Sequence, residues 1–597
     1  MTQMCGIAGY VGERDAVPKI LDALDQLQYR GYDSSGIALV TASGALECYR
    51  ALGSVSVMRS QVSVAPDARL GIGHTRWATH GKPCLENTHP FLSCDGRLAV
   101  VHNGVITNYV ALRQDLEATG HRFTSQTDSE VVAHLVEEEV RHGASVPNAF
   151  SSLPEKLEGS FAIAAVAQGC DEVFLTRRSS PLVIGIGKGE YFPASDIPSF
   201  LNQTSRVVYL GEDDCVAVGP SGIHRIGEGR VGSPSIGKSF ETAIVDLSPE
   251  SYTKGDFDHF MIKEICEQAR IIEVLAEPPP APLDKLVVEL RKASRVFVVG
   301  IGTSYHSALY IDRLGSHLAI QNLRAVVSSE MDQYSSLVDS KTVVIVLSQS
   351  GETADTITAA KIALERGAQV WGILNVPTST IGRMCHGVIP ISCGPELAVA
   401  ATKSYTAQLA ILVGLVERWV YNGAEAFRLL KDAAGSAYDL TSTSLREHVK
   451  TLANRLSKET DIFLLGRGLQ NVTAREAALK LKEVAGIRAE AFYIGEMKHG
   501  PFALIREGSP VIVFYGMAEK STAEVAVMEL SSRGAHIFTV GPEPLQASQW
   551  HIRTSELGPG LPLTQIIPAQ ILSYDIAAMK RMDPDRPPNL AKSVTVH

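Results

Sequence analysis

The sequence predicts a multidomain α/β protein. An α+β region rich in antiparallel strands comes first, followed by two copies of a doubly wound, parallel-sheet domain. Three observations carry this. The 597 residues exceed what one hydrophobic core organises. The first 240 residues hold many short apolar strands, and three apolar segments of the second half recur at nearly equal spacing.

Over residues 1–240 the strands read as GIALV, LGIGH, LAVVHNG, FAIAAVA, EVFLT, LVIGIG and RVVYL, with helical periodicity near 14–29, 108–119 and 128–141. Residues 241–284 form a linker and helix: ESYTKGDFDHF precedes the helical run MIKEICEQARIIEVLAE, and PPPAP closes it. Beyond this, RVFVVGIGTS (295–304) pairs with DIFLLGRGLQ (461–470), TVVIVLSQSGETAD (342–355) with PVIVFYGMAEKSTAE (510–524), and QVWGILNVP (369–377) with HIFTVGPEP (536–544), at offsets of 166, 168 and 167 residues. Strands spaced equally, each followed by a turn and a helical pattern, mean a duplicated βαβ domain. The copies are placed at 285–425 and 426–580, joined by a helical run around 405–457, with a tail at 581–597.

Composition narrows the function. Hydrophobic residues make up 45% of the chain and charged residues 20%, as in a soluble globular enzyme. No apolar run reaches the roughly 18 residues of a membrane span, and no signal-peptide order opens the chain. A cytoplasmic location is therefore expected. The net charge of -10 gives no general attraction for nucleic acid. Nine cysteines include no CxxC pair, and neither a metal-ligand pattern nor a pyridoxal-type signature is apparent, so no metal and no cofactor is expected.

In doubly wound domains ligands bind where strands end and helices begin. The loops GIGTS (300–304) and SQSGET (348–353) lie there in the first copy. Glycine lets the backbone approach an anion, hydroxyls donate, and the next helix presents free N–H groups, which suits a phosphorylated small molecule. The second copy carries YGMAEK instead, so one phosphate site per chain is expected. Neither GxG completes a GxGxxG dinucleotide fingerprint.

The chain opens MTQMCGIAGYVG. With residues 1–4 absent, Cys5 would carry a free α-amine beside its thiol, a nucleophile and base in one residue. The plain alternative is a small buried hydrophobe at the start of a strand. Downstream stand YRGYDSSG (29–36), GHTRWATHG (73–81), NTHP (87–90), VHNG (101–104) and TDSE (127–130). Together with CGIAGYVG, these segments resemble the glutaminase domain of class II amidotransferases with an amino-terminal nucleophile. The resemblance implies a four-layer Ntn-hydrolase-type α+β fold over most of residues 5–240. It also implies that Cys5 attacks the glutamine side-chain amide, and that Asn103 and the Gly104 N–H form the oxyanion hole. Arg76 would clamp the α-carboxylate beside Thr79 and His80, Asp128 would pair with the α-ammonium, and Arg30 and Gly31 would line the pocket. Duller alternatives are solvated charges for Arg and Asp and a hairpin turn for HNG.

The duplicated half is similar to the sugar isomerase (SIS) domains of the glutamine:fructose-6-phosphate aminotransferase family. The likeness rests on SQSGETADT, ALKLKEVAGIRAEAFYIGEMKHGPFALI (478–505) and NLAKSVTV (589–596). It implies that Gly302, Thr303, Ser304, Ser348, Gln349, Ser350 and Thr353 hold fructose 6-phosphate, with Val399 and Ala591 near the sugar. His499 would open the ring, Lys592 would form a Schiff base, and Glu483 would shuttle a proton between C1 and C2 with Lys480 beside it. Read alone, KLKE is an ordinary solvated helix pair. Trp77 resembles the family's ammonia-channel gate. L-Glutamine and fructose 6-phosphate are the implied substrates, and a homodimer is the expected assembly.

Departures from the family pattern are Ile301 for cysteine, Ala401 for serine, Ala269 for proline, Pro588 for arginine and His597 for glutamate. Ile301 and Ala401 keep open a paralogue aminating a different ketose phosphate. An isomerase or deglycase with an inactive glutaminase is the other alternative.

Overall fold

The computed structural model describes residues 5–28, 31, 33–62, 67–76, 82–227, 240–245, 249–276, 282–421 and 424–592. Two compact units result: residues 1–253 with 591–597, and residues 254–590.

The first unit is built on two antiparallel sheets. Among the described residues, the larger runs in the order Thr242–Ile244, Arg206–Tyr209, Val183–Ile186, Tyr191–Ala194, Gly6–Val11, Ala68–Arg76, Ser34–Thr41, Leu46–Leu52. The smaller runs Gly222–Arg225, Cys215–Gly219, Val173–Arg178, Gly159–Ala167, Leu98–Ile106, Phe91–Leu92. Ile7, Val40, Ile72 and Ile184 from one sheet pack against Val101, Ala164, Leu175 and Val216 from the other, forming a dry central layer. The outer faces are covered by helices. Ala16–Gln26 buries Ile20 and Leu24 on the larger sheet, and Glu130–Arg141 buries Val131, Val132 and Leu135 on the smaller. The result is the four-layer arrangement expected. The sequence segment HNG lies inside the strand Leu98–Ile106, not in a hairpin turn.

The second unit contains the repeat. Its first sheet runs Leu323–Val327, Arg295–Gly300, Thr342–Ser348, Gln369–Leu374, Gly387–Pro390, all parallel. Its second runs Arg488–Tyr493, Asp461–Gly466, Pro510–Phe514, His536–Gly541, Trp550–Arg553, in the same order and also parallel. The near-continuous Val, Ile and Leu of these strands are what a sheet covered on both faces requires. One shared core joins the copies: Val296, Val298 and Ile345 of one sheet and Ile462, Leu464 and Ile512 of the other belong to the same apolar cluster. Helices Phe260–Leu275, Lys403–Val420, Ala424–Leu440 and Thr443–Leu456 fill it. Leu561–Met579 also lies there; it is buried over most of its length and therefore shows no amphipathic stripe.

The sequence shows no metal-ligand spacing, yet Cys94, His121, His134 and Glu137 converge in the first unit with donor atoms within 4.8 Å of one another. They come from three separate segments, so no spacing rule could bring them together.

Candidate active sites

The glutaminase residues are assembled by strand register. Gly6–Val11 pairs antiparallel with Ala68–Arg76, with Gly6 opposite Thr75 and Ile7 opposite His74. Extending the register by one residue sets Cys5 beside Arg76. Gly6 is required there, since a Cβ would fall 2.5 Å from Thr75 Oγ1. From the facing sheet, Asn103 Nδ2 donates to the Cys5 backbone oxygen at 2.8 Å. Gly104 follows at φ 128°, where a Cβ would lie 2.0 Å from Ser160 O. Only glycine therefore sustains the backbone next to Asn103.

A network of buried imidazoles backs this strand. His74 Nε2 sits 3.1 Å from both His102 O and Asn103 Oδ1, so it carries the hydrogen. The His89 ring stacks on His74 with centroids 4.0 Å apart, and its Nδ1 accepts from His102 N. Burial is the first cause that holds His74 neutral, pushing its pKa down to about 3. These histidines were not singled out by sequence; a His alone in an apolar strand carries no signal.

Arg76 is buried, and desolvation pulls its pKa down against the opposing fields of Cys5, Asp33, Cys84 and Asp128. Cys5 and Asp128 are thus both within electrostatic reach of Arg76. Asp128 is buried, accepting from Ile106 N at 2.8 Å and from Ser129 Oγ at 3.3 Å. Residues 1–4, Arg30, Trp77, Thr79 and His80 lie outside the described residues; Gly31 is described and buried.

In the second unit the helix Thr303–His317 begins directly after strand Arg295–Gly300, with Gly302 at φ 57° as its cap. Thr303 and Ser304 open that helix. Thr303 Oγ1 donates to Glu476 Oε1 at 3.0 Å and accepts from Lys480 Nζ at 3.1 Å, so its hydroxyl hydrogen is committed within the protein. Ser304 Oγ accepts from Gln408 Nε2 at 3.2 Å.

Lys480 and Glu483 occupy Leu469–Ala485, not as a solvated pair. Lys480 is fully buried at 0% exposure, and its Nζ lies 2.6 Å from Glu483 Oε2 and 3.4 Å from Glu476 Oε1. Desolvation pulls the lysine pKa down, but Glu483 and Glu476 outweigh it and hold the pKa above its usual value. The ammonium is therefore charged at neutral pH. Glu476 shows the mirror image: burial pushes it up, while Lys480, His306 and Thr303 bring it below the ordinary carboxylate range. His306 Nδ1 stands 2.6 Å from Glu476 Oε2. Glu476 and His306 were missed by sequence, although Glu476, Lys480 and Glu483 at i, i+4 and i+7 form one charged stripe flanked by the buried Ala477, Ala478, Leu481 and Val484.

The loop 348–353 joins strand Thr342–Ser348 to helix Ala354–Glu365. Ser348 Oγ accepts from Gly351 N at 3.0 Å and Ser350 Oγ accepts from Glu352 N at 3.1 Å, shaping a tight turn. Thr353 caps the helix without a side-chain cap bond, and Gln349 is half-buried. Val399 N donates to Asp585 O at 3.0 Å. His499 ends a 3-10 turn, Ile494–His499, and is exposed, outside the Lys480–Glu483 cluster's hydrogen bonds. Ala591 and Lys592 group with the first unit, so the residues expected around the sugar divide between the two units.

Comparison with known proteins matches both halves. The profile described as SIS domain fits residues 289–418 and 455–580, and the one described as glutamine amidotransferase domain fits residues 74–202. A Pyrococcus horikoshii protein named glutamine–fructose-6-phosphate aminotransferase [isomerizing] is 39% identical over 99% of this chain and 100% of its own length. A Thermus thermophilus protein of the same name is 40% identical over the same shares. Among solved structures, the C-terminal domain of glucosamine-fructose-6-phosphate aminotransferase from Francisella tularensis covers 56% of this chain and 99% of its own, with a TM-score of 0.50 at 24% identity, and shows the same fold. With relatives this similar along the whole chain, the protein belongs to the isomerizing glutamine–fructose-6-phosphate aminotransferase family.

Proposed function

We propose that this chain transfers the amide nitrogen of L-glutamine to D-fructose 6-phosphate and isomerises the product to D-glucosamine 6-phosphate, releasing L-glutamate. The observation that carries this reading is relatedness over 99% of the chain to aminotransferases of that name, which spans glutaminase and sugar halves together.

In the first half, the Cys5 thiolate attacks the glutamine amide carbon, its proton passing to the residue's own α-amine once residues 1–4 are removed. Asn103 Nδ2, now on the Cys5 carbonyl, and the Gly104 N–H receive the developing oxyanion. Ammonia leaves, and water hydrolyses the thioester. The buried guanidinium of Arg76 suits a carboxylate, and Asp128 suits the substrate ammonium, with Arg30, Thr79 and His80 completing the pocket. In the second half, Ser348, Gln349, Ser350 and Thr353 hold the phosphate at the start of helix Ala354–Glu365. His499 opens the ring, Lys592 engages C2 as a Schiff base with loss of water, ammonia bonds to C2 and displaces the lysine amine, and Glu483 moves the proton between C1 and C2. Lys480, held charged, fixes the Glu483 carboxylate at 2.6 Å rather than acting as a base. Trp77 gates the passage of ammonia, and the working assembly is a cytoplasmic homodimer. The glutaminase domain is assigned to residues 1–240 and the sugar isomerase domains to 285–425 and 426–580.

The test is product identification with both substrates. Glutamate and glucosamine 6-phosphate should form in equal amounts, and Cys5→Ala should abolish glutamine-dependent synthesis while sparing synthesis from ammonium. Amination of another ketose phosphate in preference to fructose 6-phosphate would instead assign Ile301 and Ala401 to a changed specificity. Unchanged activity of Cys5→Ala would overturn the glutaminase role.

A further inference from the structure

Four side chains of the first unit form a cluster that the proposed reaction does not use. Cys94 lies in the turn between Phe91–Leu92 and Leu98–Ile106, His121 follows the helix Tyr109–Ala118, and His134 and Glu137 stand one turn apart on Glu130–Arg141. We propose that Cys94 Sγ, His121 Nδ1, His134 Nδ1 and Glu137 Oε2 bind a structural divalent cation of the zinc class.

Four of the six donor–donor distances match tetrahedral edges, and all six are within 4.8 Å. Cys94 Sγ lies 3.7 Å from His121 Nδ1 and 3.6 Å from His134 Nδ1, and Glu137 Oε2 lies 3.2 and 3.3 Å from the same two nitrogens. A zinc ion with bonds of about 2.3 Å to sulfur and about 2.0–2.1 Å to nitrogen and oxygen separates tetrahedral S and N donors by about 3.6 Å, and N and O donors by about 3.3–3.4 Å. The donor types agree as well. A thiolate, two imidazoles and one carboxylate select zinc over magnesium or calcium, and four protein donors close the coordination shell, as in structural sites.

A cation also fits the hydrogen bonds around the cluster. His121 Nε2 is 2.9 Å from Glu138 Oε2 and 3.3 Å from Arg141 Nη1; with the ring hydrogen on Nε2 it goes to the nearer carboxylate. Its Nδ1 lone pair then faces a carboxylate oxygen and, 3.7 Å away, a thiol sulfur that is only a weak donor. A cation between them removes the conflict. His121, His134 and Glu137 are 3, 1 and 6% exposed, and Cys94 closes the cluster on the solvent side. The surroundings have the second layer expected of ligands. Glu138 orients His121, Arg141 Nη2 holds the other Glu137 oxygen at 2.8 Å, and Arg122 N donates to Cys94 Sγ at 3.4 Å. Binding displaces the thiol proton to solvent and leaves both imidazoles neutral. The ion would pin the turn at Cys94 to the helix Glu130–Arg141, bracketing the strand that presents Asn103 and Gly104.

The experiment is elemental analysis of the full-length chain purified without chelator, in a Cys5→Ala background that excludes metal capture by Cys5. About one zinc per chain is expected, and Cys94→Ser and His134→Gln should each lower it at least about tenfold. Cobalt substitution should give a thiolate charge-transfer band that Cys94→Ser removes. Chelation should lower the thermal midpoint, and zinc should restore it. Should the variants fail to fold, the cobalt spectrum and the chelation cycle of the parent chain decide. Metal well below one per chain after exposure to zinc, an undiminished content in Cys94→Ser, or cobalt bound without a thiolate band would each overturn the site.

Discussion

His74 Nε2 lies 3.1 Å from Asn103 Oδ1 and at the same distance from the His102 carbonyl, and this fixes which way the Asn103 amide points. Both neighbours accept, so Nε2 donates, the side-chain oxygen of Asn103 turns to it, and Nδ2 turns to Cys5. Asn103→Ala should lower glutamine hydrolysis by roughly 10²–10³. His74→Leu leaves the donor present but unaligned, and a loss of about 10- to 100-fold in kcat with KM little changed is expected. Steady-state glutaminase kinetics separate the two; equal loss in both variants would show that His74 does more than orient the amide.

The same histidines make the first unit sensitive to acid. Burial puts the folded pKa of His74 at about 3 and that of His89 well below its usual value, against 6.5 for the free side chain. Between these limits the unfolded chain binds more protons, so stability rises with pH; it is fully present above about 6.5 and lost as pH falls toward 3, by up to about 1.4 kcal/mol per unit for each group. Whole-chain melting mixes several domains. Hydrogen exchange in Ala68–Arg76 and Leu98–Ile106, corrected for intrinsic rates, should show protection falling through that window, with a shallower slope in His74→Phe.

In the sugar half the charges are coupled. Lys480→Met leaves Glu476 buried with only His306 and the Thr303 hydroxyl, and roughly 3–5 kcal/mol of destabilisation is expected from one uncompensated carboxylate. Glu483 is partly exposed, so Glu483→Gln should fold normally yet lose about 10²–10⁴ of amino-sugar formation from ammonium, with glutamine hydrolysis retained. Retention of that synthesis within about threefold would remove Glu483 from the proton transfer.

How far these features were readable from sequence follows from how each is built. The repeat was readable because both copies keep apolar strands that are buried on two faces, and burial of that kind leaves an unbroken run such as TVVIVLS. Asn103 and Gly104 were readable only as part of a family pattern; in isolation HNG mimics a turn. His74, His306 and Glu476 act through partners 28 to 170 residues away in the chain, as His74 does with His102 and Glu476 with His306, and no periodicity encodes such pairs. Cys94 and His134 fall in the same class. Leu561–Met579 was invisible as an amphipathic helix because it has no wet face.

The loop proposed to hold the phosphate offers a test that replaces none of its proposed ligating groups. Gly351 has φ 68°, and a Cβ built there would fall 1.9 Å from Ser379 Oγ. Ser379 is itself occupied, since its hydroxyl accepts from Gly382 N at 3.3 Å to cap Thr380–Met384. Gly351→Ala must therefore either displace that cap or shift the loop, and it bears left-handed backbone strain of about 1–2 kcal/mol besides. The Ser348 hydroxyl that accepts from Gly351 N moves with it, so the hydroxyls proposed to hold the phosphate lose their alignment. KM for fructose 6-phosphate should rise at least about tenfold while glutamine hydrolysis measured without sugar stays unchanged, because the loop belongs to the second unit alone. A variant with unaltered KM would place the phosphate elsewhere than on residues 348–353.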